Sequence, residues 1–177
     1  AALIMSARTM VEKEPNYTYV TARLLLDDIR AKALTRLGVA EKATQFEMET
    51  YYPQALREFL QLAVDSELVS GELLEYDLDH MAKALIAERD NQFTYLGLQT
   101  LYDRYFIHKE EVRIELPQVF FMRIAMGLAL REDNREERAV EFYQLLSSFD
   151  YMASTPTLFN SGTLRSQLSS CYLTTVP

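Results

Sequence analysis

Apolar residues recur at helical spacing along most of this chain, and that periodicity limits the fold more than any other feature. Ala22, Leu25, Leu26 and Ile29 fall at i, i+3, i+4 and i+7, lining one helix face and leaving Arg23, Asp27 and Arg30 outside the stripe. Leu56, Phe59, Leu60, Ala63 and Val64 keep the same spacing. Between Gln118 and Arg131 the apolar set Val119, Phe120, Met122, Ile124, Met126 and Leu128 points nearly all round, which predicts a helix buried on most sides. The expected fold class is therefore mainly α.

The full pattern predicts helices over Ala1–Glu12 and Tyr17–Leu34, broken at Pro15-Asn16 with Asn16 as N-cap. Gly38 is a suitable C-cap before a connector over Val39–Gln45. Further helices are expected over Met48–Val69, where Pro53 lies near the start, over Asp79–Glu88 and over Phe93–Phe106. Val112–Leu116 reads as a brief extended stretch. Pro117 opens the buried helix, and Asn134 caps a last one with Phe142, Leu145, Leu146 and Phe149 as its inward stripe. Thr155–Ser166 has loop composition, and Ser169–Val176 has the alternation of a strand. The one boundary expected lies near residues 36–45, between a short helical hairpin and a larger helical body.

Composition narrows the function. At 49% hydrophobic and 25% charged, the 177 residues are those of an ordinary globular chain and not a disordered one. A net charge of -8 supplies no broad basic surface, so a nucleic-acid polymer is excluded as a partner, while a small anionic nucleotide needs only a local cluster of donors. The single cysteine, Cys171, rules out an internal disulfide framework and points to a reducing cytoplasm. Apolar runs such as Val119–Phe121 are too short to cross a membrane. The start at Ala1 and the end at Pro177 read as cuts through a longer chain.

Residues able to do chemistry concentrate near the C-terminal end. Ser154 to Thr163, followed by Ser166 to Leu173, gathers hydroxyls, a proline, a glycine and the only thiol. Hydroxyls and turn amides can hold phosphate or ribose, or simply cap and turn the chain. Cys171 is either a small buried hydrophobe or a reagent. Elsewhere the readings are structural. His80 and His108 lack Cys or His partners at ligand spacing, and Glu47, Glu49 and Glu58 form no Glu-x-x-His pair. Asp27-Asp28, Glu110-Glu111 and Glu136-Glu137 read as solvated surface, and five glycines build no phosphate-cradling loop.

Two closely spaced motifs resemble a known family. Pro156-Thr-Leu-Phe-Asn-Ser-Gly-Thr163 and Gln167-Leu-Ser-Ser-Cys-Tyr-Leu173 are similar to the segment leading into the first barrel strand of the large, catalytic subunits of class I ribonucleotide reductases. Arg89 to Gly97 and Leu116 to Arg123 look like that family's N-terminal helical domain, and Tyr17 to Leu24 like the closing helices of an ATP-cone. The resemblance implies three parts: 1–38 from an ATP-cone, 39–153 from the helical domain, and 154–177 as substrate loop and first strand of an α/β barrel. It implies that Cys171 is one half of a redox dithiol that reduces the ribose 2′ position and becomes a disulfide with a cysteine outside this chain. It implies that Thr157 and Ser170, with Thr155 beside them, contact a ribonucleoside diphosphate.

The resemblance also implies partners: a small subunit whose metal centre generates the radical, thioredoxin or glutaredoxin as reductant, a second large subunit, and ATP or deoxynucleotide effectors. No cofactor or metal is expected on this chain itself, and only Lys32 or Arg30 remain as cone candidates, so binding of ATP by this segment alone is not expected. The chain alone is expected to be inactive. The competing readings are a segment of a cobalamin-dependent class II reductase and a non-catalytic helical interaction module.

Overall fold

The computed structural model describes residues 2–175. Among the described residues, eight α-helices and one hairpin of two-residue strands surround a single continuous apolar cluster running from Ala22 to Leu158. α1 (Ala2–Thr9) and α2 (Tyr17–Leu37) form the expected hairpin, with Ala1 outside the described residues. α2 starts differently from the expectation. Asn16 is itself in the helical region and its side chain makes no capping bond, because the turn at Pro15 already supplies the first carbonyls. The other end of α2 is as expected. Gly38, at φ +71°, donates its N–H to Thr35 O, and Val39 donates to Leu34 O, so two orphan carbonyls are satisfied by a left-handed residue that glycine adopts without strain.

α3 (Met48–Asp65) buries Leu56, Phe59, Leu60 and Ala63 as the periodicity requires. Its entry is fixed by Glu47, whose carboxylate accepts from the Thr44 N–H and hydroxyl, both at 2.8 Å. The polar stretch beyond Ser70 is two short pieces, a 3-10 turn over Gly71–Glu75 and α4 (Leu78–Lys83), where Asp77 caps the amides of Asp79 and His80. A further 3-10 turn spans Ala87–Gln92. α5 (Tyr95–Arg104) begins two residues later than expected because Thr94 accepts from the Gly97 N–H and so stops the helix there. β1 (His108–Lys109) and β2 (Val112–Arg113) pair antiparallel, which accounts for the short extended stretch.

α6 (Pro117–Ala129) is the axis of the molecule. Val119, Phe120, Phe121, Met122, Ile124, Ala125 and Met126 are all buried, as the all-round apolar pattern predicts. α7 (Arg135–Ser147) lies against it. Asn134 sits at the N-cap position of α7 but its side chain makes no capping bond, and of the expected stripe Phe142, Leu145, Leu146 and Phe149 only Leu146 is buried, beside Ala139, Tyr143 and Ser147. The stripe shifts because Tyr143 reaches buried polar partners, which leaves Leu145 half exposed.

The C-terminal region departs most from expectation. Thr155–Asn160 is helical, α8, with Pro156 in its first turn, where the missing N–H is no loss. Residues 169–175 form no strand and have no regular secondary structure, because no neighbouring strand lies beside them among the described residues and a ladder needs one; Val176 falls outside those residues.

Candidate functional site

The site is built upward from α6. Arg123 is the one charged residue of α6 and is fully buried with Glu115, so each requires the other. Arg123 Nε donates to Glu115 Oε1 at 2.6 Å, and a second guanidinium nitrogen reaches Oε2. The remaining donors go to main-chain carbonyls at the end of α8, Ser161 O at 2.5 Å and Leu158 O at 3.3 Å. Glu115 also accepts from the Ile107 N–H. The Ser161 hydroxyl donates to Ile124 O at 2.7 Å, and Ser70 N–H donates to Gly162 O, so the turn after α8 is held from both sides. Gly162 takes φ +76° with its Cα against α6, a conformation and approach that favour glycine.

α8 and the returning chain form an open cleft of about 490 Å³ lined in part by Thr155, Phe159, Asn160, Arg165 and Ser170. Two of the expected substrate residues, Thr155 and Ser170, therefore share one cleft. Thr157 does not line it; its hydroxyl donates to Leu168 O at 3.3 Å and pins the return segment, and Asn160 does the same to Gln167 O at 2.7 Å. Thr155 pairs with the Tyr105 hydroxyl at 3.2 Å, and the Tyr105 ring stacks on Phe159 with centroids 4.6 Å apart. Cys171 is a free, exposed thiol just past Ser170. Thr157 and Thr155 were legible as hydroxyls but not as residues of a helix.

A second polar centre was missed in the sequence. Asp90 is buried and accepts from Arg30 at 2.9 Å, Tyr52 at 2.7 Å and Gln118 at 2.8 Å. Tyr143 donates to Gln118 Oε1, and Arg30 also reaches Gln45. Burial pushes the Asp90 carboxyl up from its ordinary value, opposed by the adjacent Arg30. The same burial, reinforced by the Asp90 charge, pushes the Tyr52 hydroxyl well up. Arg30 thus lies inside the core, paired with Asp90, and not outside the α2 stripe. Lys32 is held by Asp28 at 2.7 Å. His80 and His108 are exposed, and among the described residues no group of three or more His, Cys, Asp or Glu is arranged to hold a metal ion. No described helix is long and apolar enough to cross a membrane.

Residues 91–166 match the family described as "Ribonucleotide reductase, all-alpha domain". The ribonucleoside-diphosphate reductase subunit alpha of Chlamydia muridarum is 48% identical over 176 residues, which is 99% of this chain and 16% of that relative. The corresponding Helicobacter pylori subunit is 38% identical over 96% of this chain and 21% of its own length. The large subunit of Caenorhabditis elegans is 28% identical over 97% of this chain and 20% of its own length. The chain thus spans between 16% and 21% of the curated relatives it matches. The motif around α8, the buried helical core and these matches over nearly the whole chain agree: the chain belongs to the ribonucleoside-diphosphate reductase large-subunit family.

Proposed function

We propose that this chain serves the reduction of ribonucleoside diphosphates to 2′-deoxyribonucleoside diphosphates as a segment of the catalytic subunit. The observation that supports this reading most is the cleft shared by Thr155 and Ser170 with an exposed thiol, Cys171, immediately beyond it, in a chain whose relatives carry the diphosphate reductase name. In this reading Ser170 and Thr155 donate to or accept from the substrate, Thr157 exchanges its bond to Leu168 O for one to substrate or holds the cleft wall, and Cys171 is one thiol of the reducing pair. That thiol and a second cysteine elsewhere in the protein together supply two electrons as they join in a disulfide.

The finer parts of the reading are of the same kind. Residues 169 onward become the first strand of an α/β barrel once neighbouring strands pair with them, 39–153 are the helical domain, and 1–38 close an ATP-cone. The protein works in the cytoplasm as a dimer of large subunits, with a small radical-generating subunit that holds the metal, thioredoxin or glutaredoxin as reductant, and ATP or deoxynucleotide effectors. The names of the matched relatives favour this over a cobalamin-dependent reductase or a non-catalytic module.

The test is Cys171→Ser in the full-length protein, a nearly isosteric change. Melting temperature should hold while deoxynucleotide formation collapses, and mass spectrometry of the spent wild-type protein should find Cys171 in a disulfide. Sustained normal turnover would refute the assignment.

A further inference from the structure

Resting on the reading of α8 as a wall of the substrate cleft, we propose that the buried Arg123 and Glu115 pair is a positioning device that fixes where α8 presents Thr155 and Thr157. α8 has six residues, too few to hold a helical conformation or a position by itself, and its last carbonyls lack intrahelical partners. Two of those carbonyls, Leu158 O and Ser161 O, are taken by Arg123. Ser161 in turn donates its N–H to Thr157 O at 3.0 Å. From the guanidinium to the backbone of Thr157 is therefore a path of two hydrogen bonds.

Core stability alone does not explain this arrangement. A buried ion pair replaced by apolar residues of similar size is often neutral or stabilising, and Arg123 packs among buried apolar residues of α6 such as Phe120, Met122 and Met126. What the apolar replacement cannot do is donate to two carbonyls of a neighbouring element in fixed directions, which the planar guanidinium fork does once Glu115 holds it by two oxygens. Glu115 adds a tie to Ile107, so α6, the β1 entry and α8 are referenced to one another.

The experiment uses the full-length protein carrying Arg123→Met with Glu115→Leu, which strands neither charge, and Arg123→Lys as a milder variant that keeps the charge and loses the fork. Thr157→Val serves as the reference for the cleft itself. Hydrogen exchange of the amides over 157–163 and the kcat and KM for a ribonucleoside diphosphate are measured. With melting temperature held within a few degrees, exchange in this segment should quicken and KM should rise about tenfold, the loss of one hydrogen bond to a charged group, with kcat changed less. Arg123→Lys should move both readouts in the same direction even if the double variant does not fold. Unchanged exchange over 157–163 in a folded variant overturns the proposal whatever the kinetics. Quickened exchange with an unchanged KM, while Thr157→Val does raise KM, also overturns it and leaves the cleft reading standing. An unchanged KM in Thr157→Val instead overturns the cleft reading on which the proposal rests.

Discussion

A Cβ added to Gly127 would lie 2.1 Å from the amide nitrogen of Gly162, so α6 and the turn that ends α8 meet backbone to backbone. The same atom would stand 2.5 Å from the Ser161 hydroxyl and 2.6 Å from the Gly162 Cα. Neither glycine could be assigned this role from its neighbours in sequence, because the two are brought together only by the packing of α8 on α6.

Gly127→Ala should therefore destabilise the chain. Alanine favours a helix interior over glycine by about 1 kcal/mol. The clash is with backbone that cannot rotate away, so overpacking costing about 3 kcal/mol should win. A melt should fall by roughly 4–8 °C for a chain of this size. Gly71→Ala, whose Cβ would meet only a Val64 methyl at 3.8 Å, is the control and should change little. Equal melting temperatures for the two variants would contradict the close contact.

Asp90→Ala should cost about 3–5 kcal/mol, because it removes the buried countercharge of Arg30, leaving only the exposed Asp27 at 3.7 Å, and strips Tyr52 and Gln118 of an acceptor. Arg30→Met together with Asp90→Leu should cost clearly less than the sum of the single changes. Urea unfolding of the four proteins gives the coupling energy, and strict additivity would show that the pair does not act as a unit.

Stability should fall in alkali between about pH 10 and pH 12. Burial pushes both Tyr76 and Tyr143 up to about 12, where their hydroxyls donate to Met126 O and to Gln118 Oε1. An unfolded tyrosine titrates near ~10. Below that pH both states hold the proton and the contribution is complete. Between the two values the folded state binds more protons than the unfolded one, so stability decreases as pH rises and is lost through the folded value. Chemical denaturation at several pH values should show this slope, and Tyr76→Phe with Tyr143→Phe should reduce it, leaving the part that the buried Tyr52 hydroxyl contributes. An identical slope in the double variant would assign the alkaline loss to other groups.

Thr157→Val in the full-length protein should weaken ribonucleoside diphosphate binding by about 0.5–1.5 kcal/mol, the range for one hydrogen bond, with little effect on thermal stability. Its hydroxyl bond to Leu168 O is only partly buried, so the structural cost is small. Equilibrium binding of the substrate checks this, and an unaltered affinity counts against a role for the hydroxyl.

The sequence by itself determined the helical class and the core faces of α2, α3 and α6, because apolar spacing maps directly onto a helix surface and burial follows the spacing. It also determined the glycine cap at Gly38 and the segment in which the hydroxyls and Cys171 cluster. Tertiary structure alone decided the rest. Arg30 falls on the polar side of its own helix by spacing, yet a carboxylate 60 residues away draws it into the core. Tyr143 rotates the inward face of α7 because its hydroxyl finds Gln118 across the helix interface. Thr155–Asn160 has loop composition and is helical because Arg123 and Ile124, on another element, supply the partners its last turn lacks. Residues 169–175 have strand composition and form no strand, because a strand requires a neighbour and none is beside them among the described residues. Local pattern reports which face a segment would bury; only the arrangement of the other segments supplies the partner that a buried charge, a short helix or a strand must have.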